Sequence, residues 1–248
     1  MEIKDLINKH KGTPGLVLGH GPSLKSLRPK LPQIKDSMVI FGCNDWFKFY
    51  TALPTYWVLA SNMDTVGQHF YRLYDYKIPV LFADTADLDA SRYLPHLPAG
   101  YCAYDERHSE NKICRLGPRP CCDKIIPGRL TLQEELQKYS GCKHRFFGGY
   151  SVAEYMLAFA ILMGCAPIYI CGVEMDYNLG YAPYLTGELP IEVAQFAGHP
   201  WEKGWNEIVS EFKTLRDSAN LVKSNIINLS PVSKLTMFAP GDTTCIKL

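Results

Sequence analysis

The 248-residue chain predicts an α/β fold: a Rossmann-like, doubly wound, mainly parallel sheet with a lid segment and a long irregular insertion. Three observations predict it. Short apolar runs without strict alternation recur along the chain, as strands buried on both faces do. Helix-like segments fill the intervals, giving the strand, turn, helix order of doubly wound domains. The first run, Gly15 to Leu18, leads straight into a glycine-bracketed turn, GHGPSL, at residues 19–24.

In order, the predicted strands are Leu16 to Leu18, Met38 to Phe41, Tyr56 to Leu59, Val80 to Phe82, Ile168 to Cys171 and Ile226 to Leu229. From about Thr85 to Arg145 the pattern dissolves into pieces rich in Tyr, Pro, Arg and Cys. A connection this long inside a compact domain is more often functional than idle. Ser151 to Met163 is apolar nearly all round, as a helix buried against a sheet is, and Gly164 ends it. Trp201 to Ala219 is amphipathic, with Trp205, Ile208, Phe212 and Leu215 spaced to face a core. The expected organisation is one domain over residues 1–248, with the insertion near 85–145 and the lid near 176–200.

Composition narrows the function. A formal net charge of +1 gives no broad field that draws nucleic acid or anionic membrane to the whole surface. No apolar run approaches the roughly 20 residues that span a bilayer, and MEIKDLINKHKG lacks a signal-peptide core, so a soluble, cytoplasmic protein is expected. The nine cysteines read as reduced thiols, with Cys43, Cys165 and Cys171 acting as small hydrophobes in apolar segments. Cys102, Cys114, Cys121 and Cys122, with His108 among them, lack the paired short spacings of a zinc site, so thiols in an irregular connection are the favoured reading. Lys112 to Arg129 carries Lys112, Arg115, Arg119, Lys124 and Arg129 against the acid Asp123. It is either a solvated loop or a substrate-facing basic surface.

In an open parallel sheet, ligands sit beyond the carboxyl ends of the strands, and the first strand-to-helix turn commonly meets a phosphate. Gly19 and Gly21, flanking His20, allow close backbone approach and unusual dihedrals; Pro22 suits a first helical turn, and Ser23 offers a hydroxyl near free N–H groups. The third glycine of the dinucleotide fingerprint and the Lys-Ser/Thr of a P-loop are both missing. Asn44 and Asn62 each end an apolar strand, where a neutral amide can bond a ribose, a base edge or a sugar hydroxyl. The strand ending at Cys171 runs into Gly172, Glu174, Asp176 and Tyr177, with Tyr181 beyond. His199, between Gly198 and Pro200, has the ordinary pKa of a general base near neutral pH.

The set GHGPSL, FGCN, LASN, AILMG before IYICGVEMDY, and FAGHPWEK resembles, in order and spacing, the bacterial sialyltransferases of glycosyltransferase family 42. It is also similar to the motility accessory factors and MptE-like (DUF115) proteins that share the Gly-x-Gly-Pro-Ser-Leu turn. The resemblance runs from Gly15 to Leu229, apart from Thr85 to Arg145. It implies a nucleotide-sugar donor, cytidine monophosphate-linked, and a hydroxyl-bearing acceptor. Gly19, His20, Gly21, Pro22, Ser23, Asn44 and Asn62 are then donor-binding, as are Gly172, Glu174 and Asp176, with Gly149 and Ser151 standing in for the family's Thr-Ser-Gly run. Tyr177 and Tyr181 stabilise the departing phosphate and His199 is the general base, with inversion, no cofactor and a homo-oligomeric assembly.

Two other readings stand beside it. One is an MptE-like pyrophosphokinase moving diphosphate from ATP to a hydroxymethyl group, which needs Mg²⁺ held by carboxylates such as Asp64, Glu174 and Asp176. The other is a transferase or binding module whose basic 112–129 segment grips an anionic polymer such as nucleic acid.

Overall fold

In the computed structural model of the chain, the described residues are 6–44, 46–50, 52–61, 76, 78–84, 106–107, 112–113, 151–176 and 205–246. Parallel pairing joins β1 (Gly15–Leu18), β2 (Val39–Cys43), β3 (Tyr56–Ser61) and β4 (Val80–Asp84) on one side of β1. Two strands of two residues each, β5 (Glu106–Arg107) and β6 (Lys112–Ile113), pair antiparallel within the insertion. Beyond β1 on its other side come β7 (Ile168–Cys171), β8 (Ile226–Asn228) and β9 (Ala239–Pro240), so the sheet order is 4-3-2-1-7-8-9. This is the doubly wound, parallel arrangement expected from the apolar runs. Successive strands step away from β1 in one direction and then restart on its far side, so the sheet reverses between β1 and β7.

The six predicted strands all form, and the side chains described in them are mostly buried: Leu16, Val17 and Leu18 are wholly covered, as is Ile168. The apolar helix α3 (Val152–Leu162) follows two single-turn helices, α1 (Leu24–Leu27) and α2 (Leu31–Ile34). Every residue of α3 from Ala153 to Leu162 is buried, and it packs on β1, β2 and β3. Gly164 ends it in the left-handed region at φ +75°, where its N–H donates to the Ile161 carbonyl. Helix α4 (Trp205–Leu221) lays Ile208, Phe212, Leu215 and Ala219 into the same core, with Trp205 half-buried at its start. Residues 201–204 lie outside the described residues. Among the described residues no helix is long and apolar enough to cross a membrane.

The direction of α3 matters for the site. The Leu162 and Met163 carbonyls accept from the N–H groups of Asn8 and His10, just before β1, so α3 ends at the amino edge of the sheet. Its 11 residues rise ~16 Å, against ~13–20 Å for strands of four to six residues. Ser151, at its N-terminus, therefore stands at the carboxyl edge.

Candidate functional site

The turn after β1 and the turn after β7 cross at the sheet's reversal point. Backbone bonds lace them together: Gly19 N–H donates to the Cys171 carbonyl at 2.8 Å and Gly21 N–H to the Gly172 carbonyl at 2.8 Å. Gly172 returns its own N–H to Ser23 Oγ at 2.8 Å, and Ser23 N–H donates to Glu174 Oε1 at 3.1 Å. Neither Gly19 nor Gly21 adopts the left-handed conformation that glycine alone tolerates. What they lack is room: a Cβ on Gly19 would run into the Gly172 carbonyl, and one on Gly21 into the Glu174 carboxylate. The close approach expected of these glycines is thus, within the protein, an approach to its own second turn.

The helix expected to follow the turn is one turn long. Pro29 and Pro32 lack N–H groups, and the chain proceeds as α1, a 3-10 turn (Arg28–Lys30) and α2 rather than as one helix. Ser23 precedes α1 without capping it by its hydroxyl, which serves Gly172 instead. Pro22 is half-buried beside it.

Side chains of the turn divide between the two halves of the sheet. Gly19, Gly21 and Ser23 meet β7, whereas His20 lies on the β2 side, its Nε2 3.3 Å from Cys43 Sγ and its ring stacked on Phe49 at 3.7 Å. Cys43 donates its thiol proton to the Leu18 carbonyl at 3.4 Å. Asn44, at the end of β2, has φ +37°; its N–H donates to the Val58 carbonyl, and its own carbonyl accepts from Trp57 Nε1 at 2.6 Å. Asn tolerates this region better than most residues, so the position serves the turn as well as any ligand.

On the β7 side, Gly172 and Met175 both take positive φ, +73° and +54°. The second is costly for a side chain of that length and redirects the chain between Glu174 and Asp176. Glu174 is 3% exposed; Asp176 forms an ion pair with Lys234 at 3.3 Å. The segment after β8 fixes this turn from above: Ser233 Oγ donates to the Val173 carbonyl at 2.9 Å and Lys234 N–H to the Glu174 carbonyl at 2.9 Å. Ser233 and Lys234 were legible only by the rule that singled out Asn44 and Asn62, namely polar residues just past an apolar strand, here SPVSK after Ile226–Leu229.

Ser151 starts α3 in extended conformation, and its N–H donates to the Glu154 carboxylate at 2.8 Å, one half of a capping box. Burial pushes the Cys171 thiol, 3.6 Å from Ser23 Oγ, up to about 12, so it stays protonated. Cys43, Cys165 and Cys171 are buried thiols, as expected of small hydrophobes. Among the described residues, no three His, Cys, Asp or Glu side chains are grouped to hold a metal ion.

The structure thus brings Gly19, His20, Gly21, Pro22, Ser23, Gly172, Glu174 and Asp176 to one crossing, with Asn44 at the adjacent strand end and Ser151 on the same edge of the sheet. Tyr177, Tyr181, His199, Asn62, Asp64 and Gly149 lie outside the described residues, as does all of the basic 112–129 segment beyond Lys112 and Ile113.

No protein-family model matches the chain, and no curated protein does. Solved structures do. The sialyltransferase CstII from Campylobacter jejuni, determined in complex with the substrate analogue CMP-3FNeuAc, is similar over 92% of this chain and 85% of its own, with a TM-score of 0.51 and 16% identity. The MAf glycosyltransferase from Magnetospirillum magneticum AMB-1 is similar over 98% of this chain, with a TM-score of 0.54 and 12% identity. This chain covers 36% of that protein's length. By these likenesses the chain has the fold of the CstII sialyltransferase and of the MAf glycosyltransferase.

Proposed function

We propose that the chain is a glycosyltransferase that moves a sugar from a cytidine monophosphate-linked donor to a hydroxyl acceptor with inversion at the anomeric carbon. The observation that carries this reading is the crossing of the two turns at the reversal point, the place where open α/β sheets bind ligands, in a chain with a glycosyltransferase fold. The nucleotide lies across the turns after β1 and β7.

The geometry supports a division of labour. The N–H groups of Gly19, Gly21, Ser23 and Gly172 all donate within the protein, and a buried carboxylate sits among them. The resemblance to the sialyltransferases gives the phenols of Tyr177 and Tyr181 the departing phosphate, to whose oxygens they donate as charge develops. His199 takes the acceptor's hydroxyl proton while the glycosidic bond to phosphate breaks. In this reading no metal takes part.

Thermal shift with the nucleotides of cytidine, uridine, guanosine and adenosine, each with and without Mg²⁺, tests the reading. A cytidine nucleotide at 100 times its Kd is expected to add about 2.7 kcal/mol without metal. His199→Ala is expected to keep that shift and lose sugar transfer. Stabilisation by ATP only in the presence of Mg²⁺ would replace this reading with the pyrophosphokinase.

A further inference from the structure

Glu174 Oε2 is buried and has no hydrogen-bond partner, although Oε1 of the same carboxylate accepts from Ser23 N–H at 3.1 Å. An acceptor buried in that state is costly and calls for a partner. Lys234 does not supply one: its ammonium is held by Asp176 at 3.3 Å, and its backbone N–H reaches the Glu174 carbonyl rather than the carboxylate. Gly21 has no side chain because the carboxylate fills that volume. Glycine at position 21 thus admits an acid at the reversal point, the place where open α/β sheets bind ligands.

A carboxylate oxygen there selects by charge. It repels a phosphate and attracts a neutral group that donates a hydrogen bond. Glu174 is 3% exposed, so bulk water supplies no standing partner for Oε2. We propose that Glu174 Oε2 accepts a hydrogen bond from a hydroxyl of the donor molecule, and so makes the site choose a hydroxylated ligand over its deoxy counterpart. The inference rests on the nucleotide-donor reading and adds to it which part of the donor meets the turns. Nucleoside ribose and transferred sugar both carry such hydroxyls.

The experiment is a binding series on the whole chain. The 5′-monophosphates of cytidine, uridine, guanosine and adenosine are compared with their 2′-deoxy and 3′-deoxy forms, and CMP-N-acetylneuraminic acid is measured beside them, on wild type, Glu174→Gln and Glu174→Asp. Gln keeps the volume and an acceptor for Ser23 N–H while removing the charge. A hydrogen bond to a charged acceptor predicts that wild type prefers one ribo form over a deoxy form by about tenfold or more, and that Glu174→Gln reduces the preference to about threefold or less. Equal binding of ribo and deoxy forms, with the CMP-sugar weakened about tenfold in both variants, assigns the hydroxyl to the transferred sugar and upholds the proposal.

Equal binding of ribo and deoxy forms with CMP-sugar affinity unchanged by either variant overturns it and leaves the nucleotide-donor reading standing. Mg²⁺ or Mn²⁺ alone stabilising wild type but not Glu174→Gln overturns it in favour of a cation at Oε2. No binding of any nucleotide or of the CMP-sugar overturns both. Should Glu174→Gln fail to fold, the ribo-to-deoxy ratio on wild type and Glu174→Asp still decides.

Discussion

The carboxylate of Glu174 occupies the space that a side chain on Gly21 would need, and the two residues stand 153 positions apart in the chain. Gly21→Ala is therefore an overpacking change, expected to cost about 1–3 kcal/mol. In a Glu174→Ala background the same substitution is expected to cost at least about 0.5 kcal/mol less, the coupling of residues in contact. Gly19→Ala meets the Gly172 backbone instead, and Glu174→Ala does not relieve it. Urea unfolding of the four variants of the Gly21–Glu174 cycle, with Gly19→Ala beside them, measures this. An unchanged cost of Gly21→Ala in both backgrounds would show that the two do not collide.

Asn44 separates backbone from ligand chemistry. At φ +37°, Asn44→Ala is expected to lose about 1–2 kcal/mol, the left-handed penalty, whereas Asn44→Gly avoids it. If the amide binds donor, Asn44→Gly keeps the melting temperature of the wild type within a few degrees but loses the shift produced by a cytidine nucleotide. Retention of that shift confines Asn44 to a turn role.

His10 predicts a pH dependence remote from the site. Burial, with Lys9 adding to it, holds its pKa below 6.5, and its Nε2 lies 2.8 Å from Tyr56 Oη. The folded state therefore disfavours the imidazolium. The stability contributed by neutral His10 is fully present above about pH 6.5, the unfolded value, and is lost as pH falls through the lower folded value. Melting temperatures taken from pH 7.5 downward should fall more steeply for wild type than for His10→Gln. Parallel profiles would rule this contribution out.

Thiol reactivity gives a further check. Burial raises the Cys165 and Cys171 thiols to about 12, and Cys43 is also buried, whereas Cys245 is exposed. The thiolate is the nucleophile, so brief alkylation of the native protein followed by peptide mapping should label Cys245 well before these three. Labelling of Cys171 at the rate of Cys245 would contradict the crossing as described.

Much of this architecture is legible in local pattern. Apolar runs mark all four strands from β1 to β4, and β7 and β8 as well, to within two residues, because short apolar runs bounded by turn residues suit strands better than helices. Gly164 ended α3 where the left-handed conformation requires a glycine. Strand β9 escaped notice because two exposed residues, one of them proline, carry no periodic signal. The break into one-turn helices after the first turn follows from Pro29 and Pro32, which lack the N–H groups a continuous helix needs.

The sequence by itself determined the six apolar strands, the two long helices and the place of the glycine turn, since each depends on neighbours within a few residues. Only the tertiary structure decided what those glycines face, that His20 stacks on Phe49, that Ser23 meets Glu174, and that Lys234 pairs with Asp176. These contacts join distant segments through the placement of β2 and β7 beside β1 and of β8 beside β7. Strand order and register create them, and no local run of residues encodes either.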